Sequence, residues 1–363
     1  MYKSIFAILL FVSISISAQI RKYSNDFLTI GVGAESLAKS NSIIAGIDDV
    51  TAGYWNPSGL NKSLYNWDFA FMHAEYFAGL ANYDYLGFAK KNENSVIGLS
   101  IIRFGVDGIQ NTTDLIDASG NFDFNRVTLF SAADYAFLFS MAKNIFNNKI
   151  SIGGNAKIIY RHIGKFASAY GFGIDFGAQY SLNKWNFGFV AKDISTTFNF
   201  WTFNKNELII NVSDSIYNLP PENSLELTLP SFIIGIKRNF EINNNFILSS
   251  ELDLDITTDG KRNALISFNP LSLLPHIGLE VGYKKIVFIR GGCGNFQKIK
   301  IFDKENISFQ PSIGLGIKFK GLAIDYALTD IGDKSIKMYS HVFSLRFGFN
   351  TLKLTDSWDK FFN

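Results

Sequence analysis

Catalysis or metal binding would have to come from four histidines, one cysteine and a few close-set acids, and their arrangement favours neither. His73, His162, His276 and His341 lie far apart in the chain, with no HExxH and no metal-type spacing. Cys293 stands alone in Gly291-Gly292-Cys293-Gly294 and reads as a small packing residue rather than a nucleophile. Gly31-Val32-Gly33 lacks the third glycine and the preceding strand of a nucleotide loop. The pair Asp48-Asp49 has the chemistry to hold a cation or meet a basic side chain, but a turn or helix cap is the commoner use. Glu251, Asp253 and Asp255 occupy alternate positions, so an extended strand puts all three on one face. Pairing with Lys and Arg is the expectation for them, ahead of ion binding. The sequence therefore predicts a non-enzyme with no cofactor and no metal.

What positions these residues is a pattern of strict alternation. Tyr170, Phe172, Ile174, Phe176, Ala178 and Tyr180 share one face, against Gly171, Gly173, Asp175, Gly177 and Gln179 on the other. Residues 312–319 and 339–349 repeat the arrangement. The chain has 363 residues, including 36 Phe, 15 Tyr, 5 Trp and 30 Gly, at a net charge of +2. So many aromatics exclude disorder, one cysteine excludes a disulfide scaffold, and the near-zero charge gives no case for nucleic acid. Beyond the N-terminus there is no apolar stretch of about 20 residues, as a membrane helix would need. Residues 1–18, with Lys3, an apolar run and Ser17-Ala18, read as a signal peptide for export.

The alternating runs are too long for ordinary soluble sheets and match a bilayer-crossing strand of 9–11 residues. They predict an all-β, 14-stranded antiparallel transmembrane β-barrel over 67–349. The strands fall at 67–77, 81–90, 95–106, 126–141, 149–162, 169–181, 184–192, 230–239, 245–256, 274–284, 286–292, 311–319, 321–328 and 339–349. Lys157, Arg161, Asp175, Glu251, Asp253, Asp255, Lys318, Asp325 and Arg346 then face a narrow lumen where opposite charges pair. Connections after even-numbered strands are short, and most of those after odd-numbered strands are long, which puts both termini in the periplasm of an outer-membrane barrel. Residues 19–66 are too few for a domain and are expected to plug or cap the barrel; Asp48, Asp49, Trp55, Asn56, Pro57 and Gly59 form their central motif. Residues 350–363 form a periplasmic tail. In the 193–229 connection, Phe198, Phe200, Trp201, Phe203, Leu208 and Ile209 are apolar beyond what a loop needs, and are candidate partner-binding residues.

Two runs carry a family resemblance: Phe27-Leu28-Thr29-Ile30-Gly31-Val32-Gly33-Ala34 and Asp48-Asp49-Val50-Thr51-Ala52-Gly53-Tyr54-Trp55-Asn56-Pro57-Ser58-Gly59-Leu60. Together they resemble the opening signature of the PorV/PorQ family, within the FadL-like barrels of Bacteroidota outer membranes, and the PorV branch more than PorQ. Gly321–Ala327, His341 with Ser344-Leu345-Arg346-Phe347, and His276–Glu280 are similar to that family's later strands. The stretch Ser36–Ser42 departs from the Gly-Met-Gly-Gly usual there. The resemblance implies an accessory or shuttle subunit of type IX secretion. Such a barrel sits in outer-membrane lipid and binds a large translocon barrel or a cargo signal domain. The alternatives are a FadL-like transporter of hydrophobic small molecules, and a subunit of another large outer-membrane complex. A charged, glycine-rich inner face is expected to disfavour the transporter.

Overall fold

The computed structural model describes residues 24–76, 79–116, 120–146, 149–208, 211–212, 215–216, 221–301, 304–329 and 340–350. The signal-peptide expectation, Ile209 and nearly all of the 350–363 tail lie outside the described residues. Strands β1 (Trp67–Tyr76), β2 (Ala81–Lys91), β3 (Val96–Asn111), β4 (Thr128–Ile145), β5 (Ile150–Ile163), β6 (Ala167–Leu182) and β7 (Trp185–Lys192) form half of the wall. Next come β8 (Thr197–Phe203), two short strands β9 (Asn211–Val212) and β10 (Ser215–Ile216), and β11 (Ser224–Thr228). The wall is completed by β12 (Ser231–Glu241), β13 (Phe246–Thr257), the short β14 (Ile266–Phe268), β15 (Leu271–Tyr283), β16 (Val287–Ile301), β17 (Lys304–Phe319), β18 (Leu322–Thr329) and β19 (Ser340–Phe349).

Fourteen antiparallel strands, β1–β7, β12, β13 and β15–β19, close when β19 pairs with β1 from Phe349↔Trp67 to His341↔Glu75. Closure leaves the barrel sheet with no terminal strand, as a membrane-spanning sheet requires. Inner and outer faces alternate as the sequence predicts. On β6, Tyr170, Phe172, Ile174, Phe176 and Tyr180 are exposed on the outside, while Asp175 and Gln179 are buried inside. The outward run from Tyr180 to Tyr170 spans about 25 Å at a strand tilt of about 40°, the height of an outer-membrane apolar band.

Two predicted connections are strands instead. The run Thr197–Phe203 extends the seventh barrel strand: β8 pairs with β6 from Phe172↔Phe198 to Ala167↔Phe203, and β11 pairs with β8. Its apolar residues are therefore not loop anchors. Phe198 and Phe200 face outward at the level of Phe172 and Tyr170, where the bilayer accounts for them, while Trp201 is buried inside. The alternation of Thr197, Phe198, Asn199, Phe200 and Trp201 already carried that signal, hidden by the interruption at 193–196. Leu208 ends the short Lys205–Leu208 helix. Similarly, 293–310 is largely the β16–β17 ladder, bulged between Gly294 and Gln297.

Residues 24–66 lie in the lumen, as two short 3-10 turns (Asp26–Thr29, Pro57–Lys62) and two one-turn helices (Ala34–Ala38, Ala52–Trp55). Val32, Ala34, Leu37, Ile43, Ile44, Ile47, Val50 and Leu60 are buried, so this segment with the inner wall makes the hydrophobic core. Glycines on the wall make the contact possible. A Cβ on Gly153 would stand 2.6 Å from the Pro57 carbonyl carbon, and Cβ atoms on Gly188, Gly292 and Gly314 would strike Ile44, Lys39 and Ala38. Replacing Gly153 with Leu should thus cost about 1–3 kcal/mol and displace the segment, seen as faster proteolysis of residues 24–62 in a barrel that remains heat-modifiable. Gly291→Ala, whose added carbon meets nothing closer than 3.8 Å, should leave proteolysis unchanged.

Candidate functional site

The lumen charges divide into groups that anchor the segment and groups that border a cavity. Asp253 Oδ2 accepts from the Ile43 and Ile44 N–H groups at 2.7 and 2.9 Å, and Glu251 Oε1 accepts from Ala45 and Gly46 at 2.7 and 2.9 Å. The tight turn at 43–46 points consecutive donors at the wall, and a carboxylate is the strongest acceptor available; Lys237 is the cross-strand partner of Glu251 beside this contact. Asp255 lies 3.5 Å from His276 Nε2, whose Nδ1 is 2.9 Å from the Ser40 carbonyl.

A second anchor centres on Glu35 of the Ala34–Ala38 helix. Its carboxylate meets Lys318 at 2.9 Å, Arg290 at 3.2 Å, Lys39 at 3.5 Å and Arg346 at 3.6 Å. Arg290 also binds Asp325 at 2.6 Å and Glu280 at 2.7 Å, and Arg346 pairs with Asp49. Burial alone would raise the Glu35 pKa, but these four cations outweigh it and hold the carboxyl well below its usual range. Glu35 and Arg290 were not singled out from the sequence; Arg290 was detectable only as an inner-face position of β16, sharing its face with Phe288 and Gly292.

The motif residues are mostly structural. Asp49 accepts from the Thr51 N–H and hydroxyl, as a turn cap, while Asp48 is exposed. Trp55 Nε1 donates to the Val32 carbonyl at 2.8 Å, and Asn56 donates to Ile44 and Ala178 carbonyls and accepts from Ser58. Pro57 starts the 3-10 turn that presses on Gly153, and Gly59 lies against Ile47, where any side chain would clash.

Above the segment, toward the long-connection end, lies a cavity of about 740 Å³. Its floor is Leu28, Ile30, Leu37, Tyr54 and Trp55, and Tyr76, Phe104, Leu138 and Ile233 give it an apolar side. The opposite side is charged but internally paired: Lys157 binds Asp175 at 2.8 Å and Asp193 at 2.5 Å. The Lys192 ammonium lies 4.9 Å over the Tyr54 ring and 5.5 Å from that of Trp55. Tyr54 donates to the Leu28 carbonyl, and burial pushes its phenol up, so it stays a neutral donor. Higher still, Arg161 binds Asp134 through two contacts at 2.8 and 3.0 Å, reaches Glu226 at 3.4 Å and stacks over Trp201.

The wall is interrupted beside this cavity. The β7–β12 ladder ends at Lys192↔Ser231 and the β8–β11 ladder resumes at Thr197↔Thr228. Between them Asp193 and Thr196 take left-handed φ values of 56° and 57°, and Pro230 offers no N–H. Asp193, Leu229 and Pro230 all line the cavity.

Such a barrel, closed by fourteen strands around an N-terminal segment, shares its fold with solved hydrocarbon channels and transporters. CymD, a monoaromatic hydrocarbon channel, aligns with a TM-score of 0.55 at 13% identity, over 89% of this chain and 98% of that one. The Pseudomonas putida toluene transporter TodX gives 0.54 at 11% identity, over 89% and 99%. The Ralstonia pickettii toluene transporter TbuX gives 0.52 at 12%, over 89% and 100%. These superpositions show a shared fold and, at such low identities, the fold alone. No protein-family model matches the sequence, and no curated protein sequence does.

Two outcomes follow for the anchors. Asp253→Ala orphans two buried donors and should weaken docking by about 2–4 kcal/mol, read as faster hydrogen exchange at Ile43 and Ile44. Glu35→Gln should loosen the Ala34–Ala38 helix. The wild type should match it only when acidified: a carboxyl with a lowered pKa gives its full contribution above about pH 4.5 and loses it as pH falls below that.

Proposed function

We propose that the chain is a non-enzymatic outer-membrane barrel that conducts small, largely apolar molecules. They enter the cavity from the long-connection end and leave through the interrupted wall between β7/β8 and β11/β12. The observation that carries this reading is the cavity's position. Its apolar floor of Leu28, Ile30, Tyr54 and Trp55 meets a stretch of described wall, 193–196 opposite 229–230, where neighbouring ladders part. A pocket with an apolar body and a few placed polar groups is the usual form of a small-molecule site.

The charged inner face that weighed against transport is largely spent on ion pairs and on anchoring the segment, so it does not make the cavity a polar channel. The shared fold with hydrocarbon channels fits the same reading. A type IX secretion role rests on the sequence resemblance alone, and neither the cavity nor the structural neighbours favour it. In this account residues 24–66 plug the lower lumen and keep the barrel from acting as a general pore.

Uptake of a toluene-sized aromatic by cells carrying the barrel, compared with cells lacking it, tests the proposal. Ile233→Trp, which fills the cavity without touching the anchors, should lower uptake by about tenfold, the consequence of losing about 1.4 kcal/mol. Equal uptake by the variant and the wild type, with both barrels folded, would remove the cavity from the pathway.

A further inference from the structure

The outer face of the barrel is not uniform. On β13, β15 and β17 the outward positions stay apolar over about ten residues: Phe246, Leu248, Leu252, Leu254 and Ile256 on β13, for example, with Ser250 the single polar break. The outward positions of β1 begin in the same way with Trp67, Phe69 and Phe71, then turn to His73 and Glu75. On β2, Phe88 and Leu86 give way to Asp84; on β3, Ile97, Leu99 and Ile101 give way to Arg103 and then Asp107. The register aligns His73, Asp84 and Arg103 side by side on adjacent strands.

Depth makes this row unusual. His73 is six residues above Trp67, about 15 Å along the membrane normal, where the band should continue to about 25 Å. Farther round the wall the same row of ladder partners passes through Tyr135, Tyr160 and Tyr170 and rises to the interface, where phenols are at home. At its low end are ionisable side chains facing outward: His73 Nδ1 contacts Asp84 at 2.7 Å, and Arg103 reaches Asp84 and Asp107, both at 3.4 Å. Side-chain exposure is 57% for His73, 41% for Asp84 and 58% for Asp107, so the barrel itself does not cover them. Immediately below is an outer groove of about 560 Å³ walled by Phe71, Leu86, Ile101, Ile324, Phe343 and Leu345.

From this we infer that the β19–β1–β2–β3 face binds another membrane-embedded protein, one that sets an apolar side chain in the groove and a Lys or Arg against Asp84. Acyl chains alone would leave the ionisable row in hydrocarbon, which is costly and marks intramembrane charges as functional. Charge selects the partner. Glu75, Asp84 and Asp107 outnumber the basic Arg103 and His73, so this face calls for a basic donor, and a second copy of this chain would oppose acid to acid. The inference is independent of the cavity and of what passes through it.

Photo-crosslinking in native membranes tests it. A photoreactive residue placed at Leu86, in the groove, should give a single protein adduct whose crosslinked peptide carries a Lys or Arg. One placed at Leu252, across the barrel, should give none. Asp84→Lys, checked for folding by heat-modifiability, should lower the Leu86 adduct at least tenfold, by analogy with charge-reversed interfaces. Lipid-only adducts at Leu86, a dimer of this chain, the same adduct from Leu252, or an adduct indifferent to Asp84→Lys would each overturn the inference.

Discussion

Glu251 and Asp253, two residues apart on one strand, accept four successive backbone N–H groups from residues 43–46, and the rest of the molecule is arranged around that contact. A turn with consecutive donors needs acceptors, and a lumen this narrow leaves little room for water to supply them. The wall therefore brings carboxylates to the turn and removes side chains around it. A Cβ on Gly188 would strike the 44–45 backbone, and one on Gly235 would strike the Asp253 carboxylate that holds it. The Glu35 cluster fixes the other end of the segment, with Arg290, Lys318 and Arg346 contributed by three different strands. Ion pairs of this kind do little for net stability, but losing one partner leaves an uncompensated buried charge, so they specify one docking geometry.

The strands and their facing were legible because a period of two, sustained over ten residues, has few other meanings. Fourteen strands, their order and the lumen positions of Lys157, Asp175, Lys318 and Arg346 all follow from it. Where alternation breaks, legibility stops. Asp193–Thr196 interrupts the seventh strand, so Phe198, Phe200, Trp201 and Phe203 read as a loop although they continue the wall. The cavity was not legible at all. It is made by residues far apart in sequence, such as Leu28, Phe104 and Ile233, and its existence depends on how far the segment rises in the lumen. Nor could the sequence show which lumen charges are spent on backbone donors rather than on each other.

Filling the lower lumen has a consequence for what the barrel can do. Residues 24–62 press against glycines of the wall and form the core with it. What is left is the space above Tyr54 and Trp55 and the parted ladders beside it. The excess of Phe and Tyr in the composition is then largely a surface property, serving the bilayer on the outer face. On the inner face aromatic residues are fewer, and those at Tyr54, Trp55 and Tyr76 border the cavity.

Crystals of the full-length protein soaked with a brominated monoaromatic, measured at the bromine absorption edge, test the central claim most directly. The account predicts anomalous density between the Tyr54 and Trp55 rings and Ile233, with residues 24–66 still docked on Glu251 and Asp253. A lumen free of bromine signal, with the halide confined to the outer lipid-facing surface, would contradict it.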